Sequence, residues 1–432
     1  NKAAQEMSQR VEGMIGVSAR QIAMGSFHSV SSKILRKHAV MSGLKNDQFK
    51  VLDSDDQIDV LIESMKIVGL IKENKQGHSG LTKTDMKKEA KELFKIIQSW
   101  KEEGWFPGEV AQKMKEYNLS YDHQVLELYK TYQKELVVRN ACDFADLLLY
   151  VVGLFKSYPD VKEYWANRFK YILIDECQDT NKLQFDWICH LSSKYNNVCL
   201  VGDPDQCIYQ WRGARPEIMT SQLEKKWFNL KKITVDTNYR STEQILNISN
   251  KIVEPNKNRD RNKFLKSGRQ GDEVEYNSFA TSSEEAGSIA LRIRNMIDNG
   301  VPPREIAILF RAGHLTRGFE QALVQYQINY IVVGGKKFYE RDEIKDAIAY
   351  LRLAMDPTDD LAFKRIANKP ARSLGPATVN QVTKAFLHTG DIPSACEWVA
   401  QNGKRIGSKR ESLIQVASLI RKMHHKVKEN NT

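Results

Sequence analysis

The stretch Tyr171–Thr180, "YILIDECQDT", sets an apolar run directly against two carboxylates, Asp175 and Glu176. A short apolar run with β-branched members reads as a buried strand, here one that ends on acids. In open parallel sheets, ligands sit beyond the carboxyl ends of the strands. One carboxylate at such an end suits Mg²⁺, a hard cation that prefers oxygen ligands and phosphates. A second, adjacent carboxylate can orient and deprotonate an attacking water. Gln178 and Asp179 add polar groups to the same turn. A solvated strand end would carry similar acids, so this stretch alone leaves both readings open.

Two neighbouring stretches extend the pattern. "LVGDPDQCIYQWRGA" (200–214) follows a second apolar run, and its polar residues emerge at the same sheet edge. Gln206 has the amide needed to hydrogen-bond a γ-phosphate. Trp211 offers a flat face for a base, worth ~1–3 kcal/mol per stacked base. Arg212 can pair with phosphate or carboxylate. Tyr209 and Trp211 read equally well as core aromatics. "VDTNYRST" (235–242) follows a third apolar run and opens a helix. Arg240 is expected at that helix N-terminus, where anions are already favoured, and suits the role of an arginine finger. Tyr239 has a ring that can stack on a purine. An exposed arginine at a helix start is the plainer alternative.

The chain has 432 residues, enough for about three domains at roughly 150 residues each. Its hydrophobic content of 41% fits a globular protein. No apolar run approaches the ~20 residues that span a bilayer, and "NKAAQEMSQR" lacks the apolar centre of a secretory signal. The net charge of +11 favours polyanionic partners such as nucleic acid. The six cysteines include no CxxC pair, which argues against zinc or iron–sulfur sites and for a reducing, intracellular compartment; the expected setting is cytoplasmic, of the bacterial nucleoid-associated kind.

Helical periodicity dominates the first ~165 residues, as in "DDQIDVLIESMKIVGLI" and "DMKKEAKELFKIIQSW", with a polar loop at 73–80 between them. From Phe169, apolar runs at 171–175, 198–203, 233–236, 306–311 and 330–335 read as buried strands alternating with helices. Ser241 with Gln244, and Ser282 with Glu285, have capping-box spacing. The alternation predicts an α/β protein with doubly wound parallel sheets, and the chain turns helical and basic again after Gly335.

"DECQDT", "VGDPDQCIYQWRGA" and "NYRST", in this order, resemble the UvrD/Rep/PcrA-type DNA helicases of superfamily 1. The likeness extends to "NKAAQEM" at the start, which resembles the family's motif Ia, and to "GSFHS" (25–29). It also covers "CDFADLL" (142–148), "VVGGKKFYERDEIKDAIAYLRL" (332–353) and "RSLGPATV" (372–379). The resemblance implies an ATP hydrolase that uses ATP and Mg²⁺ to move 3′ to 5′ along single-stranded DNA and to unwind duplex at single-strand/duplex junctions. It implies that Asp175 holds Mg²⁺, Glu176 activates water, Gln206 and Arg240 contact the γ-phosphate, and Tyr239 stacks on adenine. Trp211 would stack on a DNA base, with Tyr209 and Arg212 beside it. Asn1, Lys2, Phe27, His28, Gly335 and Lys336 would also line the DNA path. The implied domains are a first RecA-like motor (1–32 and 168–235), a helical insertion (33–167), the first part of a second RecA-like motor (236–335) and part of a helical accessory domain (336–432). Partners among repair or replication proteins stay open.

Departures matter as well. The sequence contains no G-x-x-x-x-G-K-[ST]; Gly335-Lys336 and Gly403-Lys404 lack the flanking residues such a loop needs. The expectation is therefore an internal fragment of a helicase, cut at both ends and inactive by itself. Gly313 in "FRAGHLTR" and Ser373 in "RSLGPATV" replace residues that relatives use for DNA contact and phosphate gripping. Two alternatives accompany the helicase reading: a DNA-binding or regulatory module without ATPase activity, and the helicase part of a RecB-like helicase–nuclease.

Overall fold

Helix-start chemistry organises much of this chain. A computed structural model describes residues 2–16, 21–71, 82–227, 229–256, 263–333 and 341–429. The chain divides into two units, Asn1–Asp272 and Glu273–Thr432.

The first unit begins with α1 (Lys2–Ile15) and α2 (Phe27–Lys37), followed by the short strand β1 (Lys50–Val51). Helices α3 (Ser54–Ile67), α4 (Lys83–Glu102), α5 (Val110–Glu116) and α6 (His123–Val138) come next. After β2 (Ala141–Cys142) come α7 (Phe144–Ser157) and α8 (Pro159–Arg168). Strand β3 (Ile172–Ile174), α9 (Lys182–Leu191) and β4 (Val198–Leu200) form the strand–helix–strand segment. The short α10 (Leu223–Lys226) and α11 (Glu243–Val253) complete the unit. Capping boxes start three of these helices: Thr82 with Asp85 for α4, Asp143 with Asp146 for α7, and Asn181 with Gln184 for α9. Each satisfies backbone N–H groups that the first turn leaves without partners.

The sheets are small and parallel: β1 pairs with β2, and β3 pairs with β4 in the register Ile172↔Val198. Helix α7 is apolar on nearly every face and is correspondingly buried. Its side chains share one core with Ile34 and Leu35 of α2, Trp165 of α8 and Leu183 and Ile188 of α9. This core draws on residues from both sides of position 167. The protein is thus a helix-rich α/β structure, and among the described residues no helix is long and apolar enough to cross a membrane.

Beneath α7 lies a buried polar cluster with no counterpart in the sequence reading. Lys101 of α4 is fully buried, its Nζ 2.6 Å from Asp143 and 2.7 Å from Asp146. The Tyr132 hydroxyl donates to Asp143 at 3.2 Å, and the Gln133 amide donates to Asp146 at 2.7 Å. Burial pushes the Lys101 ammonium down, but the two carboxylates more than reverse this and hold its pKa above the ordinary lysine value.

Several sequence expectations are corrected. Residues 233–236, 306–311 and 330–333 are not strands, and Ile233, Val235, Leu309 and Ile331 are exposed. A strand exists only where a neighbour supplies its ladder of N–H and C=O partners. Among the described residues, the first of these runs is followed only by a single parallel bridge, Thr237 to Lys266. Even β3 is buried on one face alone, with Leu173 at 75% exposure. The cap of α11 is Thr242, without a side-chain hydrogen bond; Ser241 donates its N–H to Asn238 instead. For the helix after position 280 the cap is Thr281, one residue earlier, accepting the Glu284 N–H at 3.1 Å; the Glu284 carboxylate accepts the N–H of Ala280 rather than of the cap, so no reciprocal box forms. The expected loop at 73–80 lies outside the described residues.

The second unit carries α12 (Ser282–Asp298) and α13 (Thr316–Gln325), packed over Ile306, Ile308 and Phe310. Next come α14 (Asp342–Met355), α15 (Asp360–Ile366), α16 (Pro376–Thr389), α17 (Ile392–Asn402) and α18 (Lys409–Glu429), gathered on a core centred on Leu353, Phe363, Val399 and Leu413. Ser373 holds φ +58°, the left-handed region that favours glycine. Arg372 beside it donates to the carbonyls of Ile366 and Lys369, both at 2.9 Å.

Candidate active site

Strand β3 delivers Asp175 and Glu176 to an exposed edge. The chain turns sharply there: Glu176 holds φ 53°, ψ 42°, and its N–H donates to the Asp175 carboxylate at 3.0 Å. A left-handed conformation costs a non-glycine residue of order 1 kcal/mol and persists where the surroundings over-determine it. They do so here. The N–H of Cys177 donates to Val201 O at 2.9 Å, and the N–H of Val201 donates to Ile174 O at 2.8 Å, so the two strand ends stay paired beyond the sheet.

Gln178 connects these ends. It is 2% exposed. Its Nε2 donates to Glu176 Oε2 at 2.6 Å, and its Oε1 accepts the N–H of Asp203 at 3.0 Å. A Cβ at Gly202 would lie 2.5 Å from that Oε1 and 2.8 Å from Met219 Sδ, so only glycine fits the crossing. Asp179 has an oxygen buried without a hydrogen-bond partner, and burial, with the nearby Glu176 charge, raises its pKa.

After β4, Asp203 begins a short turn containing Asp205 and Gln206. Gln206 is exposed and donates through Nε2 to Asp203 Oδ2 at 2.9 Å. The other oxygen of Asp203 pairs with Lys263, which also meets Asp205 at 3.1 Å. Burial pushes the Asp203 carboxyl up, but the Lys263 and Gln206 hydrogen bonds outweigh it and hold the pKa below the usual range.

Trp211 is 63% exposed, so it is not a core aromatic. Its indole N–H donates to Ile208 O at 3.1 Å, and the Arg212 guanidinium lies 4.5 Å from its ring centroid. Tyr209 stands beside it, with ring centroids 6.4 Å apart. The turn rests on the end of α4. Arg215 pairs with Glu103, and Gly213 holds φ +76°, the left-handed region that favours glycine, with Glu102 Oε2 2.5 Å from where a Cβ would stand. Burial, then Glu103, push Glu102 up to about 7 against the opposing Arg212 charge.

Tyr239 and Arg240 are exposed. Arg240 lies ahead of the Thr242 cap rather than in the first turn of α11, because Asn238 folds the backbone back by accepting the N–H groups of Arg240 and Ser241 at 2.9 and 2.8 Å. Phe27 and His28 are half-buried. The Phe27 ring meets Trp187 edge-on at 5.4 Å, and His28 meets Phe144 at 6.0 Å. Burial lowers the His28 pKa, with Asp143 opposing. Lys2 begins α1, but its side chain lies outside the described residues, as do Asn1, Gly335 and Lys336. The structure therefore gathers Asp175, Glu176 and Gln206 at the ends of one strand pair. Lys263, Glu102 and Glu103 were missed as supporting residues. Gln178 alone had a sequence signal, its place in the acidic turn.

Residues 1–228 match the family model for the UvrD/REP helicase N-terminal domain, and residues 233–416 match that for the UvrD-like helicase C-terminal domain. The chain belongs to the UvrD/REP helicase family. It is 37% identical over 390 residues to a protein of Rickettsia typhi named DNA helicase II, covering 90% of this chain and 56% of that protein. It is also 37% identical over 383 residues to ATP-dependent DNA helicase PcrA of Staphylococcus epidermidis, covering 88% of this chain and 50% of that one. The chain thus spans about half the length of these UvrD/REP relatives. Neither relative's name points to a binding module without ATPase activity or to a helicase–nuclease. The two UvrD-type matches part between the Tyr209–Arg212 turn and the Tyr239–Arg240 segment, so the Lys263–Asp203 pair joins them.

Proposed function

We propose that this chain forms part of the motor of an ATP-dependent DNA helicase that moves 3′ to 5′ along single-stranded DNA and opens single-strand/duplex junctions. The observation that carries the reading is the meeting of Asp175, Glu176 and Gln206 beyond the carboxyl ends of β3 and β4, tied together by buried Gln178. In this reading residues 1–32 with 168–235, and 236–335, belong to two doubly wound RecA-like motors, while 33–167 and 336–432 are helical accessory segments.

Asp175 fits a magnesium site by donor chemistry. It is an exposed carboxylate with one oxygen taken by a backbone N–H, and hard oxygen donors are what Mg²⁺ selects. When bound, Mg²⁺ supplies charge neutralisation on the phosphates. Glu176 takes the proton of the attacking water; Gln178 holds its Oε2, which aims the carboxylate and leaves Oε1 for the water. Gln206 hydrogen-bonds the γ-phosphate. Arg240, whose guanidinium makes no ion pair among the described residues, stabilises the transferring phosphoryl group. The open ring of Tyr239 receives the adenine. Trp211 stacks on a DNA base, with Tyr209 and Arg212 flanking it.

The test is strand displacement by the full-length protein on duplexes with a 3′ or a 5′ single-stranded tail. ATP-dependent displacement from the 3′-tailed duplex alone is expected. Displacement only from 5′ tails, or from neither, would overturn the proposal. Trp211→Ala is expected to weaken single-strand affinity by about 5- to 150-fold, the equivalent of losing one stacked base. Fluorescence anisotropy with a labelled oligonucleotide measures it, and unchanged affinity removes Trp211 from the DNA path.

A further inference from the structure

We propose that residues 263–269 form a strap that sets Arg240 relative to Gln206, with Lys263 as the positioning residue at one end and Arg269 at the other. The inference rests on the nucleotide-site reading above and adds two residues that it does not contain.

At the first end, the two oxygens of Asp203 are divided. Lys263 takes Oδ1 and the Gln206 amide takes Oδ2, at 2.9 Å. A carboxylate only accepts hydrogen bonds, so binding Nε2 leaves Gln206 Oε1 as the free acceptor of that amide. Lys263 also holds Asp205 at 3.1 Å. Without it, the carboxylates of Asp203 and Asp205 would repel one another, and Asp203 Oδ1 would keep only the Asp205 N–H at 3.0 Å, loosening the carboxylate that holds Gln206. The ammonium is largely withdrawn from water, at 14% side-chain exposure, where charge pairing is less screened.

At the other end the strap runs beside the Tyr239–Arg240 segment. Lys266 donates its N–H to Asp236 O at 3.0 Å and accepts the N–H of Asn238 at 2.7 Å. The Ser267 hydroxyl donates to Ser241 O at 2.8 Å. Arg269 Nη1 donates to the carbonyls of Tyr239 at 3.2 Å and Arg240 at 3.0 Å. Both peptide units that carry the adenine- and phosphate-facing side chains are thereby clamped from behind. The segment is also held at its middle, where Asn250 of α11 donates to Leu265 O at 2.9 Å and accepts the Leu265 N–H at 3.4 Å, so it ties the Gln206 turn to the backbone that carries Arg240.

The experiment measures DNA-stimulated ATP hydrolysis in the full-length protein. Lys263→Met should lower kcat about tenfold, with KM for ATP within about twofold and a cooperative unfolding transition retained, because misplacement rather than lost binding is the defect. Lys263→Arg should restore most of the rate. Arg269→Gln should match Lys263→Met, and the double variant should be no slower than either single one, since the strap acts as a unit. Wild-type kcat in Lys263→Met, an equal loss in Lys263→Arg, or fully multiplicative single losses would each overturn the strap. Should Lys263→Met fail to fold, Lys263→Gln carries the same outcomes. Glu176→Gln run alongside separates the two claims. If it is inactive while Lys263→Met is normal, the strap fails and the active-site reading stands. If it is active while Lys263→Met is slow, the base role of Glu176 fails and the strap stands.

Discussion

Glu176→Gln is expected to lower ATP turnover by the full-length protein about 10²–10⁴-fold, the range contributed by a positioned general base, while leaving single-strand affinity unchanged. The substitution is nearly isosteric. A glutamine carbonyl can still accept the Gln178 amide, which now sits 2.6 Å from Glu176 Oε2. The left-handed backbone at 176 is set by the pairing of Cys177 with Val201 and of Val201 with Ile174, none of which involves the side chain. What disappears is basicity alone. Trp211, Tyr209 and Arg212 lie on a separate turn braced by Glu103 and Gly213, so DNA binding is preserved. Steady-state hydrolysis with saturating DNA measures the first part, and anisotropy measures the second. Turnover within about tenfold of wild type would remove Glu176 from the base role.

Lys101→Met is expected to destabilise the chain by about 3–5 kcal/mol, the cost of leaving buried carboxylates without their cation. Asp143 and Asp146 are fully buried with Lys101 between them. Burial and the Asp143 charge already push Asp146 up to about 6 against the opposing Lys101 charge. Removing the ammonium leaves two like charges in an apolar surround at the start of α7, the central helix of the core. Urea denaturation followed by tryptophan fluorescence gives the measurement. Adding Asp143→Asn and Asp146→Leu to Lys101→Met should recover most of the loss: Asn can still cap α7, and an uncharged cluster carries no unpaired ion. A loss below about 1 kcal/mol in the single variant would show that the cluster is not a charge-balanced unit.

Helices and strand ends were legible to different degrees for a physical reason. Helical periodicity and capping are local, so α3, α4, α9 and α11 stand where the apolar spacing put them, with the expected caps of α11 and α12 each displaced by one residue. Strands are not local. Residues 172–174 and 198–200 found each other, while 233–236, 306–311 and 330–333 have the composition of strands without a ladder among the described residues. An apolar run states a preference for burial, but a neighbour must supply its hydrogen bonds.

The sequence by itself determined the chemistry at the sheet edge. An apolar run that stops on Asp175-Glu176, and another that leads into Gln206 and Trp211, place carboxylates, amide and aromatic by chain connectivity alone. Tertiary structure decided which of them are supported, and by what. Gln178 reaches Asp203 across 25 positions, Lys263 reaches it across 60, and Arg215 reaches Glu103 across 112. Tertiary structure also decided the state of Trp211, since a tryptophan looks the same in sequence whether it fills a core or stands in water. Such separations leave no local pattern, because what selects each residue is a single distant partner and the removal of both from solvent.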